Sequence, residues 1–296
     1  MNYLEKLKQS ARDTESIVCM GLDPNINSLP PLYREAGIRG FKTYLEEIFS
    51  EMRKQNVQVG MFKPNEGYYS RHNVSRFDNH FGDSTLVEII QMTQEYFPHA
   101  ISNLDAKRGD IGPSSDNYAY EILDEFIVDA TTIHGYMGTD SIAPFGKYCV
   151  SHGKGAYVLC RTSNPGKTDI QDLLLADGRM VYEAVAEKII GWSNLYPGIG
   201  AVVGATGLEE LAKLAKLFAL HNIPMLIPGV GGQGGSAIEV VNVLREARYP
   251  LWLARINSSS GITHPWAKKK EEAPENFAEV CVYEIKQLNE EIGPIF

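Results

Sequence analysis

Short apolar segments rich in β-branched residues alternate along the chain with longer segments whose apolar residues recur at helical spacing. Segments of the first kind predict buried strands at 17–23, 57–63, 100–105, 126–134, 155–161, 199–206, 224–230 and 251–259. Segments of the second kind predict helices near 41–55, 84–96, 115–125, 139–151, 179–195, 207–221, 236–248 and 273–291. One strand and its following helix take about 30 residues, the length of a β-α-β crossover.

Eight such units in 296 residues predict an α/β fold, a (β/α)₈ TIM barrel forming a single domain over 1–296. A doubly wound open sheet is the alternative, but no GxGxxG turn follows the first strand. Polar residues follow the predicted strands, at the barrel face that usually carries active sites. The connections 64–83 and 162–178 are enlarged, and the second has the Gly, Pro and Ser content of a mobile lid.

Composition and charge narrow the class of protein. A net charge of −9 argues against a nucleic-acid or anionic-membrane surface. No apolar run reaches the ~20 residues that span a bilayer, and the charged residues of 1–16 leave no signal-peptide core. The four cysteines are widely spaced without a CxxC pair, which indicates buried thiols rather than a zinc site or disulfides. We therefore expect a cytoplasmic protein.

The run DAKRGDIG at 105–112 concentrates the candidate chemistry, since it follows the apolar stretch 100–104. Residues two apart in an extended segment point to the same side, so Asp105 and Lys107 can enter one cavity. Asp110 points elsewhere unless the chain turns at Gly109. Buried carboxylates and ammonium groups at a strand end are typical of catalytic sites. A solvated salt bridge on a loop explains the spacing equally well.

Seven motifs at strand ends remove that ambiguity: GLDPN (21–25), MFKPNEGYY (61–69), DAKRGDIG, RTSNPG (161–166), VVGAT (202–206), PGVGGQGG (228–235) and NSSSGI (257–262). In this order they resemble the orotidine 5′-monophosphate decarboxylase family, specifically its longer monofunctional bacterial-type branch, over nearly the whole chain. The resemblance implies a homodimer of (β/α)₈ barrels. It also implies decarboxylation of orotidine 5′-monophosphate to uridine 5′-monophosphate, the last step of de novo UMP synthesis, without cofactor or metal.

The resemblance assigns the charged catalytic network to Lys63, Asp105, Lys107 and Asp110. Lys107 would stabilise the developing carbanion at C6 and protonate it, because no cofactor offers an electron sink. Asp105 would lie beside the departing carboxylate and disfavour it in the ground state. Lys63 and Asp110 would keep Lys107 charged and oriented. The family's last Asp reaches the partner subunit's site, which would explain why Asp110 need not face its own cavity.

Substrate contacts follow from the same resemblance. Asp23 would accept the ribose hydroxyls, assisted by Ser114 of the neighbouring subunit, although an Asp after GL can also be a simple cap. Ser163 would read the pyrimidine amide edge and help to close the site. His134 has no matching role and is expected to pack against the barrel. The phosphate is expected at the loops after the seventh and eighth strands, with contacts from Gln233, Gly234, Ser259, Ser260 and Gly261.

The eighth-strand motif departs from the family, since Ser260 stands where relatives usually carry Arg. A hydroxyl then replaces a bidentate guanidinium contact to phosphate. Arg255 is expected to face another direction and not to compensate. Three interpretations remain. The first is a decarboxylase with weakened phosphate anchoring, or an engineered Arg→Ser variant of one. The others are a Mg²⁺-dependent sugar-phosphate decarboxylase or aldolase of the same barrel type and a non-catalytic nucleotide-binding barrel. RTSNPG and the Lys63 motif favour the first over the second, and the intact set of Lys63, Asp105, Lys107 and Asp110 argues against the third. The expected partner is a small nucleotide, and neither nucleic acid nor membrane.

Overall fold

A closed barrel of eight parallel strands, in the order β1 to β8, forms the centre of the molecule. The computed structural model describes residues 1–74, 79–231 and 234–296. The strands are β1 Val18–Gly21, β2 Met61–Lys63, β3 Ile101–Arg108, β4 Ala130–Ile133, β5 Gly155–Arg161, β6 Ile199–Val203, β7 Met225–Pro228 and β8 Ala254–Ser258. The predicted (β/α)₈ fold is therefore confirmed, since β8 also pairs with β1.

Helices follow every strand and cover the barrel. They are α1 Tyr3–Thr14, α2 Pro31–Glu35, α3 Gly37–Lys54, α4 Glu66–Ser70, α5 Phe81–Tyr96, α6 Gly112–Tyr120, α7 Thr139–His152, α8 Val181–Leu195, α9 Leu208–Ala219, α10 Ala237–Glu246, α11 Ser260–Thr263 and α12 Phe277–Ile292. The helix expected at 115–125 begins three residues earlier, because Pro113 fits the first helical turn. It continues as a π-helical turn over Glu121–Glu125.

Helix α1 closes the N-terminal end of the barrel, and the sequence analysis did not predict it. Asn2 caps it in a capping box with Glu5. Its buried face carries Tyr3, whose hydroxyl lies 2.9 Å from that of Tyr157 on β5. The Oγ of Ser10 donates to the carbonyl of Gly60 at 3.0 Å. The spacing of Tyr3, Leu7 and Ala11 is the signal that could have revealed this helix.

Arg255 is fully buried at this same closed end. Its guanidinium donates to the backbone carbonyls of Leu7, Trp252 and Ala254. As expected, it faces away from the loops that follow β7 and β8. All four cysteines are also buried. No helix in the described ranges is both long and apolar enough to cross a membrane.

Candidate active site

A cavity of about 450 Å³ opens at the C-terminal ends of the strands. It is lined by Asp23, Lys63, Asn65, Tyr68, Asp105, Lys107, Thr132, Leu159, Thr162, Ser163, Asn164, Val202, Leu226, Pro228, Gly229, Val230, Asn257 and Ser259. One side is charged, where β2 and β3 end, and the opposite side is formed by the ends of β7 and β8. This volume and mixture of surfaces suit a small ligand with both polar and apolar parts.

The carboxylate of Asp105 is the centre of the charged side. Its Oδ2 lies 2.9 Å from the Nζ of Lys63, and its Oδ1 lies 2.5 Å from the Nζ of Lys107. Thr132 donates from Oγ1 to Oδ1 at 2.6 Å, and Asn65 approaches Oδ2 at 3.4 Å. Four donors therefore fix one carboxylate, and two of them are cationic.

A local irregularity of β3 turns Lys107 into the cavity. The pairing with β4 shifts register between Leu104 and Arg108, and Lys107 has a φ of 50°, in the left-handed region. Its backbone N–H donates to Oγ1 of Thr132 at 3.1 Å. This bond replaces the strand-to-strand hydrogen bond that the bulge interrupts. A strained backbone in a non-glycine residue is typical of functional sites. Asp105 and Lys107 thus share the cavity through a bulge, and not through simple strand alternation.

Burial and neighbouring charges shift the pKa values of Lys63 and Asp105 in opposite directions. Burial alone would lower the pKa of Lys63, but the carboxylates of Asp105 and Asp23 outweigh it and raise that pKa. Burial alone would raise the pKa of Asp105, but the charges of Lys63 and Lys107 and the bonds from Lys107 and Thr132 hold it well below its usual range. Asp105 is therefore ionised at neutral pH.

Asp110 and Ser114 do not line the cavity of their own chain. The Oδ1 of Asp110 accepts the N–H of Ile111 at 2.7 Å, so its carboxylate is directed along the loop. At the neighbouring Gly109, a Cβ would lie 2.5 Å from the ring of His134. Only glycine fits this close approach. His134 packs against this glycine, in line with the packing role expected for it.

Three of the predicted substrate contacts line the cavity: Asp23, Ser163 and Ser259. The Oδ1 of Asp23 is buried without a hydrogen-bond partner in the described part of the protein. Such an atom is costly to leave unsatisfied, which indicates a place for a ligand donor. The carbonyl of Ser163 accepts a bond from Thr206 at 3.3 Å, tying the loop after β5 to the loop after β6.

Of the described residues predicted to contact the phosphate, Ser259 lines the cavity. Gly229 and Val230 line it, whereas Gly234, Ser260 and Gly261 do not. Gln233 lies outside the described residues, as do 75–78 in the enlarged connection 64–83.

The enlarged connection 162–178 is attached to the barrel by polar bonds at its base. The guanidinium of Arg161, 4% exposed, bonds to Asp172 at 2.5 Å and to Glu210 on α9 at 2.6 Å. Gln171 accepts the N–H of Thr162 at 3.0 Å. The loop is thereby held beside the cavity with Ser163 facing inward.

Sequence reasoning missed several polar lining residues, above all Thr132, Asn65 and Asn257. Thr132 and Asn257 lie within β4 and β8, where a polar side chain in a buried strand was the available signal. Asn65 lies in the MFKPNEGYY motif but received no role. In the described ranges, no group of three or more His, Cys, Asp or Glu side chains is placed to hold a metal ion.

Comparison with known proteins shows the family to which the chain belongs. Residues 75–249 match the family model described as the orotidine 5′-phosphate decarboxylase / HUMPS family. An orotidine 5′-phosphate decarboxylase of Delftia acidovorans is 35% identical over 268 residues, covering 89% of this chain and 90% of the relative. One from Dehalococcoides mccartyi is 39% identical over 239 residues, 79% of each chain. The Leishmania donovani OMP decarboxylase structure has a TM-score of 0.73 at 27% identity, covering 98% of this chain and 99% of that one. The chain belongs to the orotidine 5′-phosphate decarboxylase / HUMPS family.

Proposed function

We propose that this protein decarboxylates orotidine 5′-monophosphate to uridine 5′-monophosphate. Relatives with that name match most of the chain. The observation that carries the proposal is the array of Lys63, Asp105 and Lys107 at the catalytic face of a barrel of this family. A module that only bound a nucleotide would have little use for so much buried charge, because desolvating it is expensive.

Lys107 is the residue that we assign to the chemical step. The bond from C6 to the carboxylate breaks, carbon dioxide leaves, and the bonding electron pair stays on C6. No neighbouring carbonyl accepts that charge, so a preorganised ammonium must stabilise it. Lys107 then transfers its proton to C6 and regains one from water. Its side chain is 46% exposed, which allows both contact with the substrate and reprotonation.

Asp105 and Lys63 position that ammonium and set its surroundings. Asp105 is ionised and fixed by Lys63 and Thr132, so the Nζ of Lys107 is held 2.5 Å from its Oδ1. A bound substrate would bring its own carboxylate to the same region. Repulsion between the two carboxylates would raise the ground state, and departure of carbon dioxide would relieve it.

The remaining roles are proposed from the family resemblance, for residues that line the cavity or lie on its loops. Asp23 would accept the ribose hydroxyls through its unpartnered Oδ1. Ser163, on the loop after β5, would bind the pyrimidine edge. Ser259 lies at the opposite wall, where the phosphate would be bound. The neighbouring loop residues proposed to complete that end are Gln233, Gly234, Ser260 and Gly261.

We further propose a homodimer in which Asp110 and Ser114 complete the partner's site. Their absence from the lining of their own cavity supports this arrangement. Exposed apolar side chains lie on the adjoining loops, with Ile111 at 52%, Tyr136 at 91% and Met137 at 42% exposed. Burying them would stabilise a dimer. The buried free cysteines fit a reducing compartment, so we place the protein in the cytoplasm.

The decisive assay follows conversion of orotidine 5′-monophosphate to uridine 5′-monophosphate by chromatography, with and without a chelator. We expect turnover in both conditions. Activity that disappears with the chelator would instead favour a Mg²⁺-dependent sugar-phosphate reaction, which the HUMPS part of the family description keeps as the second candidate. Nucleotide binding without any turnover would favour a non-catalytic barrel.

A further inference from the structure

The phosphate end of the cavity lacks a positive charge among its own lining residues. In the described chain, the cationic side chains that line the cavity are Lys63 and Lys107, and both bond to Asp105 at the other end. Ser260, which stands where relatives usually carry Arg, does not line the cavity and has no charge. A phosphate monoester carries a charge of about −1.5 to −2 at neutral pH and binds most strongly to cationic donors. A cation from outside the lining would therefore strengthen the binding of a phosphate here.

Lys268 supplies a cation at this place. Its Nζ donates to the carbonyl of Gly231 at 3.3 Å. Gly231 directly follows the lining residues Gly229 and Val230. It also lies against the loop after β8, because a Cβ built on it would be 3.8 Å from the Cα of Gly261. The ammonium is thus held where the two loops meet.

The backbone of Lys268 is fixed by its neighbours, whereas its side chain is free to change conformation. Lys268 belongs to a 3₁₀ helix over Pro265–Lys269. Trp266 anchors that helix, being 4% exposed and donating from Nε1 to the carbonyl of Ser28 at 2.8 Å. Lys268 itself is exposed, and a lysine stem has four rotatable carbons. The ammonium can therefore follow a ligand without rearrangement of the fold.

The present partner of this ammonium is a weak one. The bond joins a cation to a neutral carbonyl at the edge of solvent, and in the described part of the chain Lys268 has no carboxylate partner. A phosphate oxygen is a stronger acceptor, because both groups are then charged. The next lysine, Lys269, instead lies near Glu284 on α12: burial raises the pKa of Glu284, and the charge of Lys269 opposes part of that rise. The two lysines therefore differ in direction.

We propose that Lys268 binds the 5′-phosphate of the nucleotide and takes the part that an arginine at position 260 would otherwise play. This inference rests on the proposed function, since it concerns the same nucleotide. The ammonium of Lys268 would replace the positive charge that the chain lacks at Ser260. The ammonium exchanges the carbonyl of Gly231 for a phosphate oxygen when the nucleotide binds.

The test compares Lys268→Gln with the matched control Lys269→Gln by calorimetric titration with uridine 5′-monophosphate and with uridine. We expect Lys268→Gln to weaken nucleotide binding about tenfold, the value of one charge-assisted hydrogen bond, and to leave uridine binding unchanged. Lys269→Gln should stay within about twofold for both ligands. Adding Ser260→Arg to Lys268→Gln should restore most of the lost affinity.

Other results would overturn the inference. Unchanged nucleotide affinity in Lys268→Gln, equal losses for nucleotide and nucleoside, or equal effects of both substitutions would each do so. Failure of Ser260→Arg to restore binding would show that the two positions do not face one phosphate. All these outcomes leave the proposed function standing if the unaltered protein still converts orotidine 5′-monophosphate. If the unaltered protein neither converts nor binds the nucleotide, that result contradicts the proposed function itself, whatever the role of Lys268.

Discussion

The ammonium of Lys63 and the carboxylate of Asp105 form a buried ion pair of 2.9 Å between β2 and β3, with side chains 4% and 10% exposed. Because Lys107 bonds to the other oxygen of the same carboxylate, two cations share one anion. The three side chains Lys63, Asp105 and Lys107 therefore carry one net positive charge between them. That excess charge can stabilise an anionic carbon without a cofactor.

Replacing Lys107 with Ala should remove both the stabilising charge and the proton donor. We expect product formation to fall by about 10³-fold or more, because both effects act on the transition state. Affinity for uridine 5′-monophosphate should change little. Steady-state assays and product binding measure this, with the exposed Lys188→Ala on α8 as control. Substantial residual turnover in Lys107→Ala would show that another group protonates C6.

Thr132 is a positioning residue, because it donates to Asp105 and accepts from the backbone of Lys107. Thr132→Val should lower kcat about tenfold with little change in KM. The control is Thr131→Val, since Thr131 is equally buried but bonds to the carbonyl of Leu104. Thermal melts should show similar losses of stability for both variants. Equal losses of kcat would mean that the effect of Thr132 is structural.

The dimer proposal predicts complementation between two inactive variants. Lys107→Ala and Asp110→Asn should each be inactive as homodimers. In a mixed dimer, one site combines the intact Lys107 of one chain with the intact Asp110 of the other. Random exchange should restore about a quarter of normal activity, because half of the dimers are mixed and each has one intact site. Activity that stays at the level of the separate variants would place Asp110 in its own chain's site.

His264 should make stability fall in mild acid. Burial lowers its pKa to about 4, whereas an unfolded histidine titrates near pH ~6.5. The unfolded chain thus takes up a proton first, so stability is complete above about pH 6.5 and declines down to about pH 4. Urea unfolding should show a loss of up to about 2 kcal/mol between pH 7 and pH 5. His264→Gln should remove that part of the pH dependence; an identical pH dependence in both proteins would contradict the assignment.

The strands were predictable because burial on both sides demands continuous apolar runs. Each predicted strand contains the observed one, apart from the extension of β3 to Arg108. The extension contains the bulge at Lys107, which the local pattern of apolar and polar residues does not predict. Helix α1 was not predicted although its apolar residues recur at helical spacing, because charged residues alternate with them along the segment.

The sequence by itself determined the alternation of strands and helices, the family motifs and the identity of the charged residues. Tertiary structure decided which of them meet. Asp105 bonds to residues 42 and 27 positions away, Lys63 and Thr132, and Lys268 reaches a carbonyl 37 positions away. Asp110 and Ser114, although within ten residues of Asp105, turn away from the same cavity. Such contacts depend on strand register and on the bulge in β3, which packing of the whole barrel fixes and no local segment encodes.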